Sequence, residues 1–436
     1  MSAAPARGTA VPARAVSPFG DREFRALWLG RLISNVGDQF ARVALSLIAF
    51  HETGSAGLTA LTYALTYFPS VLGGPLLGGL ADRYPRRSVV VACDIARGTL
   101  IAVAAIPGMR FAALVPLVFA VSLLEPPSDA ARSALLANVL SGARYLSALS
   151  VVQVSGQLGT LAGFAAGGAL VAAVGTHTTL VLDSVSFAVS ALLTWLGVRH
   201  RAAPRAATPQ GTAPLQKPQS GLTSTVRFIA THATLSRLAA FTLCVCCLLA
   251  PEALAAPYAA SLGAGATGTG LFLAAFPLGF MLGGLVMTRI SAPARLLGLI
   301  APSLAAAGIP LICFAARPGL PVAIVLWGAS GVLSALMIAV NAAFVRTVPD
   351  DRRGAAGAVM GSVVSGGQGL VMIAAGGIAE LLGLPGAIAV FGVIVVVGTA
   401  LTSIGWRSAR AVALIALNEP TPGTGGAETT SRAHRD

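Results

Sequence analysis

Lysine is almost missing from this chain: Lys217 stands alone among 29 basic side chains, and the other 28 are arginine. Charge of either sign is scarce. Charged residues are 10% of the 436, where a soluble domain carries about 25%. That little charge cannot keep a water-facing globule in solution, which excludes a soluble enzyme or binding domain. The five cysteines, Cys93, Cys244, Cys246, Cys247 and Cys313, fall inside apolar runs with no histidine or carboxylate at metal-ligand spacing. They read as small packing residues, and no metal site is expected. No Walker loop, histidine-rich tract or Ser/His/Asp set stands out, so neither a catalytic centre nor a cofactor is expected. Gly263-Ala264-Gly265-Ala266-Thr267-Gly268 fits Gly-x-Gly-x-x-Gly, but a dinucleotide fingerprint needs a preceding strand, and here the run joins two apolar segments. The first 23 residues are rich in Ala, Pro and Arg and have no apolar core. They read as a disordered tail without a secretory signal.

What the chain has instead is apolar length: 55% hydrophobic residues and a mean hydropathy of +0.80. Twelve apolar runs are expected to be membrane helices, at 24–50, 57–80, 88–107, 111–135, 145–174, 178–198, 238–260, 266–290, 294–316, 319–346, 354–383 and 385–407. A span needs about 20 apolar residues. Membrane helices also tolerate the 50 glycines and 26 prolines, which pack closely and bend locally.

A net charge of +13 could suggest nucleic acid, but the arginines sit at the ends of the runs and not along one soluble face. They also sit mostly on one side. Arg22, Arg25, Arg83, Arg86, Arg87, Arg144, Arg199, Arg201, Arg205, Lys217, Arg227, Arg237, Arg289, Arg295, Arg346, Arg352, Arg353, Arg407 and Arg410 share it, and only Arg110 and Arg317 fall opposite. Short loops rich in arginine stay in the cytoplasm, so both termini are expected there. Trp28, Trp195 and Trp406 fall at the same ends and are expected to be interfacial anchors. A linker at 199–237, ending in a short amphipathic helix, divides six-span halves at 24–198 and 238–407, and a tail follows at 408–436. Leu77-Gly78-Gly79-Leu80 in one half recurs as Leu282-Gly283-Gly284-Leu285 in the other.

Ionisable side chains inside the runs are the main chemical signal, since each costs about 2.5–3.5 kcal/mol at mid-span. Asp38 and Arg42 are four apart, and Asp94 and Arg97 three apart, so each couple shares a helix face. Both couples can be neutralised structural pairs. The functional alternative is a proton-titrating carboxylate in a central cavity, with Asp38 and Glu125 as first choices and Asp129 and Glu252 behind them. Glu125-Pro126-Pro127 marks a helix distortion. Asn35, Tyr63, Tyr67, Gln157, Asn341 and Gln368 are the polar and aromatic candidates to line that cavity.

Gly78-Gly79-Leu80-Ala81-Asp82-Arg83-Tyr84-Pro85-Arg86-Arg87 resembles the signature loop between helices 2 and 3 of the major facilitator superfamily, with Pro85 where that family has glycine. Val348-Pro349 through Arg353-Gly354 resembles a loop of its bacterial drug and siderophore exporters, as does Leu32 through Asp38. Gly159, Gly163, Gly167 and Gly168 resemble the helix-5 motif of drug/proton antiporters, with Phe164 in place of its proline; plain helix packing explains them equally. The resemblance implies an all-α membrane protein of twelve helices in two pseudo-symmetric six-helix bundles. It implies a monomeric carrier in a bacterial inner membrane, driving efflux of a small apolar or amphipathic molecule with the proton gradient. It also implies a cytoplasmic gate in which Asp82 faces Arg353 at the start of span 11. A solute importer of the same fold, or a membrane sensor that transports nothing, remain the alternatives.

Overall fold

The computed structural model describes residues 17–77, 80–201, 222–290, 293–349 and 352–418, and every regular element in them is a helix. Helix α1 spans Arg22–Thr53. Its first turn is capped by Asp21, whose carboxylate accepts from the amides of Glu23 and Phe24. The second pass is broken into α2 (Ala56–Ala64), α3 (Phe68–Leu77) and α4 (Leu80–Arg83), and the third is α5 (Arg86–Ala104). The fourth is α6 (Phe111–Leu123) followed by α7 (Glu125–Val139).

Helix α8 (Gly142–Gly197) is two antiparallel passes, because Gly175 interrupts it at φ 81° and ψ 167°. Only glycine adopts such angles without strain, so the chain reverses there. In the second half, α9 (Leu222–Thr231) leads into α10 (Ala233–Cys247), α11 (Ala250–Ala253) and α12 (Ala255–Ser261), which together make one pass. Then come α13 (Gly265–Met287), α14 (Pro293–Ile312), and α15 (Leu320–Ser334) with α16 (Met337–Thr347). Helix α17 (Arg353–Ser403) again folds back on a glycine, Gly383 at φ 74°, and α18 (Trp406–Asn418) closes the described chain.

Seven of these helical stretches are long and apolar enough to cross a membrane, among them the two double-length helices. Those two supply two passes each. The passes of α1 and α5, which carry more charge, and the pass broken into α2, α3 and α4 complete the twelve. Each half packs internally, α1 and α5 on α8 in the first, α13 on α15 and α14 on α17 in the second. The halves meet where α8 crosses α13 and where α2 and α3 lie along α17. At the crossing, a Cβ on Gly168 would stand 2.6 Å from the Ala266 carbonyl oxygen and 2.7 Å from Gly270 Cα. Two backbones touch there, so neither glycine has room for a side chain.

Gly168 and the Gly175 turn lie at the charge-poor end, so that end of the interface is sealed. A second tie joins the halves there. Glu380 of α17 accepts from the Ser55 hydroxyl at 2.7 Å and the Gly57 amide at 2.9 Å, at the start of α2. An anion at a helix N-terminus is stabilised by the unpaired amides.

The arginine-rich end is organised by helix-end carbonyls. Arg86 donates to Ala134 O at 3.3 Å, near the end of α7. Arg87 donates to the Trp195 carbonyl at the end of α8 and lies 4.5 Å from the centre of that indole. Cations at helix C-termini satisfy orphan carbonyls, and this explains the arginines here without a ligand.

Three expectations need correction. Trp28 donates to Ser155 at 2.9 Å, and Trp406, 5% exposed, donates to Leu297 O at 3.2 Å, so both pin helices together. Only Trp195, 54% exposed, is free to meet lipid headgroups. Ordered structure also continues past residue 407: α18 packs on α10, α14 and α16, with Arg410 donating to Ala294 O at 2.7 Å. And it begins before residue 24, since Phe19 packs edge-on against Phe24 and Trp28. The linker from 202 to 221 lies outside the described residues; α9 supplies the amphipathic helix after it, with Arg352 lying 5.0 Å from its Phe228 ring.

Candidate substrate and coupling site

Three helix breaks carry the chemistry. Proline removes a backbone donor, so helices tend to break beside it and carbonyls are freed there. Between α2 and α3, ahead of Pro69, the backbone tightens to i→i+3 bonds and sets Tyr67 at the break. Between α10 and α11, ahead of Pro251, the same tightening sets Glu252 at the break. Between α6 and α7, ahead of Pro126, it sets Glu125.

Two of these breaks face each other across the interface between bundles. Glu252 Oε1 accepts from Tyr63 at 2.9 Å and from Tyr67 at 3.1 Å. The two phenol rings are stacked, with centroids 6.4 Å apart. Arg42 of α1 donates to the Tyr67 hydroxyl at 2.8 Å and lies 4.7 Å from the centre of that ring. Arg42 is also the cation whose field reaches Glu252. Glu252 is 6% exposed and Tyr63 2%. Its hydrogen-bond donors therefore all come from the other bundle, and no cation lies within ion-pair distance of it among the described residues.

Glu125 sits in the field of both Arg97 and Arg42, yet makes no hydrogen bond or ion pair among the described residues.

The intramembrane pairs are not the ones that sequence spacing suggests. Asp38 pairs with Arg97 at 3.0 Å and not with Arg42. Asp94 pairs with Arg132 at 2.5 Å and not with Arg97. Asp94 is fully buried and also accepts from Ser190 at 2.7 Å, while Arg132 donates to Ser190 at 2.9 Å. This knot ties the third, fourth and sixth passes together. Each arginine reaches sideways to a neighbouring helix, so the couples on one helix face were the wrong unit. Asp129 forms a two-pronged pair with Arg31, at 2.9 and 3.4 Å, with both side chains partly exposed.

Asp183, given no role from its sequence position, is fully buried against Gly37 of α1. One of its oxygens accepts from Ser186 at 3.1 Å and the other has no partner among the described residues.

Of the cavity candidates, the structure joins Tyr63 and Tyr67 in the central cluster. It joins Asn35 and Gln157 elsewhere, in a cavity of about 180 Å³ between α1 and α8. There Asn35 donates to Gly156 O at 2.9 Å. Asn341 is exposed and Gln368 half-buried, and neither makes a side-chain hydrogen bond among the described residues. Gly159, Gly163 and Gly167 face α1 at Asn35, Gln39 and Phe40, and Gly168 faces α13. All four sit at helix contacts. At the gate loop, Gly78 and the Asp82 side chain lie outside the described residues. Arg83 is exposed, and Arg353 donates to Val345 O at 3.2 Å.

Two bundles of six passes that share a polar cluster at their interface define the fold of a membrane carrier. The match to known proteins narrows this further. Residues 27–291 fit the family model of the Major Facilitator Superfamily, and the chain belongs to that family. Its family and its fold are those of membrane transporters.

Similar curated proteins include macrolide efflux protein A of Streptococcus pyogenes, 26% identical over 73 residues, which are 17% of this chain and 18% of that one. The uncharacterized MFS-type transporter YfiS of Bacillus subtilis is 28% identical over 201 residues, 45% of this chain and 47% of that one. The matched segments thus span less than half the length of these relatives.

Among solved structures, a bacterial homolog of the human lysosomal transporter Spinster superposes with a TM-score of 0.65 at 19% identity, covering 91% of this chain and 94% of that one. A POT family transporter reaches 0.72 at 12% identity, covering 89% and 97%. At such identities the likeness concerns the fold.

Proposed function

We propose that this chain is a secondary active exporter that exchanges protons for a small apolar or amphipathic molecule by alternating access. The observation that carries the proposal is Glu252, a buried carboxylate whose donors, Tyr63 and Tyr67, both come from the opposite bundle. As a carboxylate it holds the bundles together through two charge-assisted bonds, each roughly twice as strong as a neutral one. A proton on Glu252 removes that charge, weakens both bonds, and lets the bundles part. Proton occupancy and bundle movement are then one equilibrium, and that is what coupling requires.

Arg42 bonded to Tyr67 keeps the phenol oriented and balances the anion through space. The stacked tyrosines suit an apolar or aromatic cargo, and the macrolide efflux relative supports export as the direction. The arginine asymmetry supports a reading in which both termini lie in the cytoplasm of a bacterial plasma membrane; a monomer as the working unit is part of the same proposal. Supply of energy by the proton gradient follows from the same carboxylate.

The test is proton flux in proteoliposomes. A panel of amphipathic compounds is added on the arginine-rich side, and lumenal pH is followed with a trapped dye. Compound-dependent proton movement through the wild type, absent in Glu252→Gln, supports the proposal. Substrate movement that ignores the pH gradient contradicts it.

A further inference from the structure

A cavity of about 720 Å³ opens at the charge-poor end, away from the Glu252 cluster. Its volume falls within the roughly 300–1,000 Å³ usual for small-molecule sites. It begins on α1 at Leu47, five residues beyond Arg42, which is about 7.5 Å along a helix at 1.5 Å per residue. It shares no lining residue with the cluster.

The walls are mostly aliphatic, built from Leu47, Ile48, Leu114 and Val171, with Met109 at the rim. The polar lining is Glu52, its one carboxylate, with His51, Thr176 and His177. Glu52 is exposed to the cavity mouth and makes no hydrogen bond or ion pair among the described residues, and neither Arg nor Lys lines the space. His177 adds a lone pair. Its Nδ1 lies 3.2 Å from the Ala105 carbonyl, which can only accept, so Nδ1 carries the proton and Nε2 of the neutral ring is an acceptor. An apolar chamber with a free carboxylate and an imidazole acceptor matches a ligand with a greasy body and a positive group.

We propose that this cavity is a binding site for an amphipathic organic cation, distinct from the central cluster and independent of any coupling role for Glu252. Ala266 lines the cavity and its carbonyl also abuts Gly168 in the seal between α8 and α13. The site therefore has this shape only while this end is closed, and a bound cation favours the closed state by linkage.

Tetraphenylphosphonium is a suitable probe, with neutral triphenylphosphine oxide as its comparison. Binding to the purified full-length protein is measured by equilibrium dialysis, so the readout needs no transport. The expected result is saturable binding of the cation, weaker binding of the neutral probe, and a loss of about fivefold in Glu52→Gln, the effect of one partly solvated ion pair. Met109→Trp, which adds bulk among the lining residues, is expected to remove binding. Glu52 is exposed and makes no hydrogen bond or ion pair among the described residues, so its substitution is expected to leave the fold alone and decides the matter even where the tryptophan variant fails to fold. Absence of saturable binding, or equal binding in Glu52→Gln, would each overturn the proposal.

Discussion

Substituting alanine for Gly168 asks whether the sealed end must open and close for transport. A methyl group on Gly168 would stand 2.6 Å from Ala266 O, which is 0.8 Å short of the 3.4 Å at which ordinary contact begins. The opposing atoms are backbone, so no side chain can swing away and the helices must part. Overpacking of this kind costs about 1–3 kcal/mol. The cost falls only on the state in which α8 and α13 touch, so it shifts the balance toward the parted state by about 5–150-fold. Spin labels at Val174 and Leu262, both exposed near the turns at this end, report the separation. Gly168→Ala should move the distance distribution to longer values and slow transport. Gly270→Ala should do the same, because its Cβ would stand 2.6 Å from Gly168 Cα. The double variant should be little worse than either single, since one parting relieves both clashes. Unchanged distances in Gly168→Ala, with transport intact, would show that this crossing is not the seal.

Other expected outcomes concern the polar ties. Arg132→Ala leaves the fully buried Asp94 without its cation and should cost about 3–5 kcal/mol, read as lost thermal stability in detergent. The pair Arg132→Leu with Asp94→Asn should recover much of that, and a melting temperature untouched by Arg132→Ala would refute the knot. Glu380→Gln keeps the size of the side chain but removes the anion from the α2 N-terminus. It should raise the accessibility of a cysteine placed at Leu61, by labelling from the charge-poor side. Equal labelling in variant and wild type would mean the tie does not help hold that end shut.

The fold was largely legible in the sequence because membrane helices announce themselves by length and apolarity. Twelve runs were visible, and the two glycine reversals fall where adjacent runs meet, at Gly175 and Gly383. Side-chain partners were less legible. Asp38 with Arg42 and Asp94 with Arg97 look paired because three or four residues make nearly one helical turn. Which neighbouring helix each arginine reaches depends on packing, and packing places Arg97 beside Asp38 and Arg132 beside Asp94. Tyr63 and Tyr67 were legible as candidates to line a cavity, and Glu252 as a second-choice titrating carboxylate. Nothing local links residues 185 and more apart, so their meeting had to come from the structure. The recurring signal was available, however: Tyr67, Glu125 and Glu252 each stand at most two residues from a proline. Helix α18 was missed because its apolar residues alternate with Arg407 and Arg410, which reads as a tail when only long apolar runs are sought.

The most direct measurement is the proton stoichiometry of substrate movement in Glu252→Gln against wild type, in the same proteoliposomes. Glutamine keeps an acceptor for Tyr63 and Tyr67 but cannot take up a proton. With an imposed pH gradient, the wild type should accumulate substrate against its concentration gradient. The variant should fold, bind substrate and equilibrate it downhill while carrying no protons. Uphill transport by Glu252→Gln at the wild-type stoichiometry would contradict the assignment and leave Glu252 as a structural tie between the bundles.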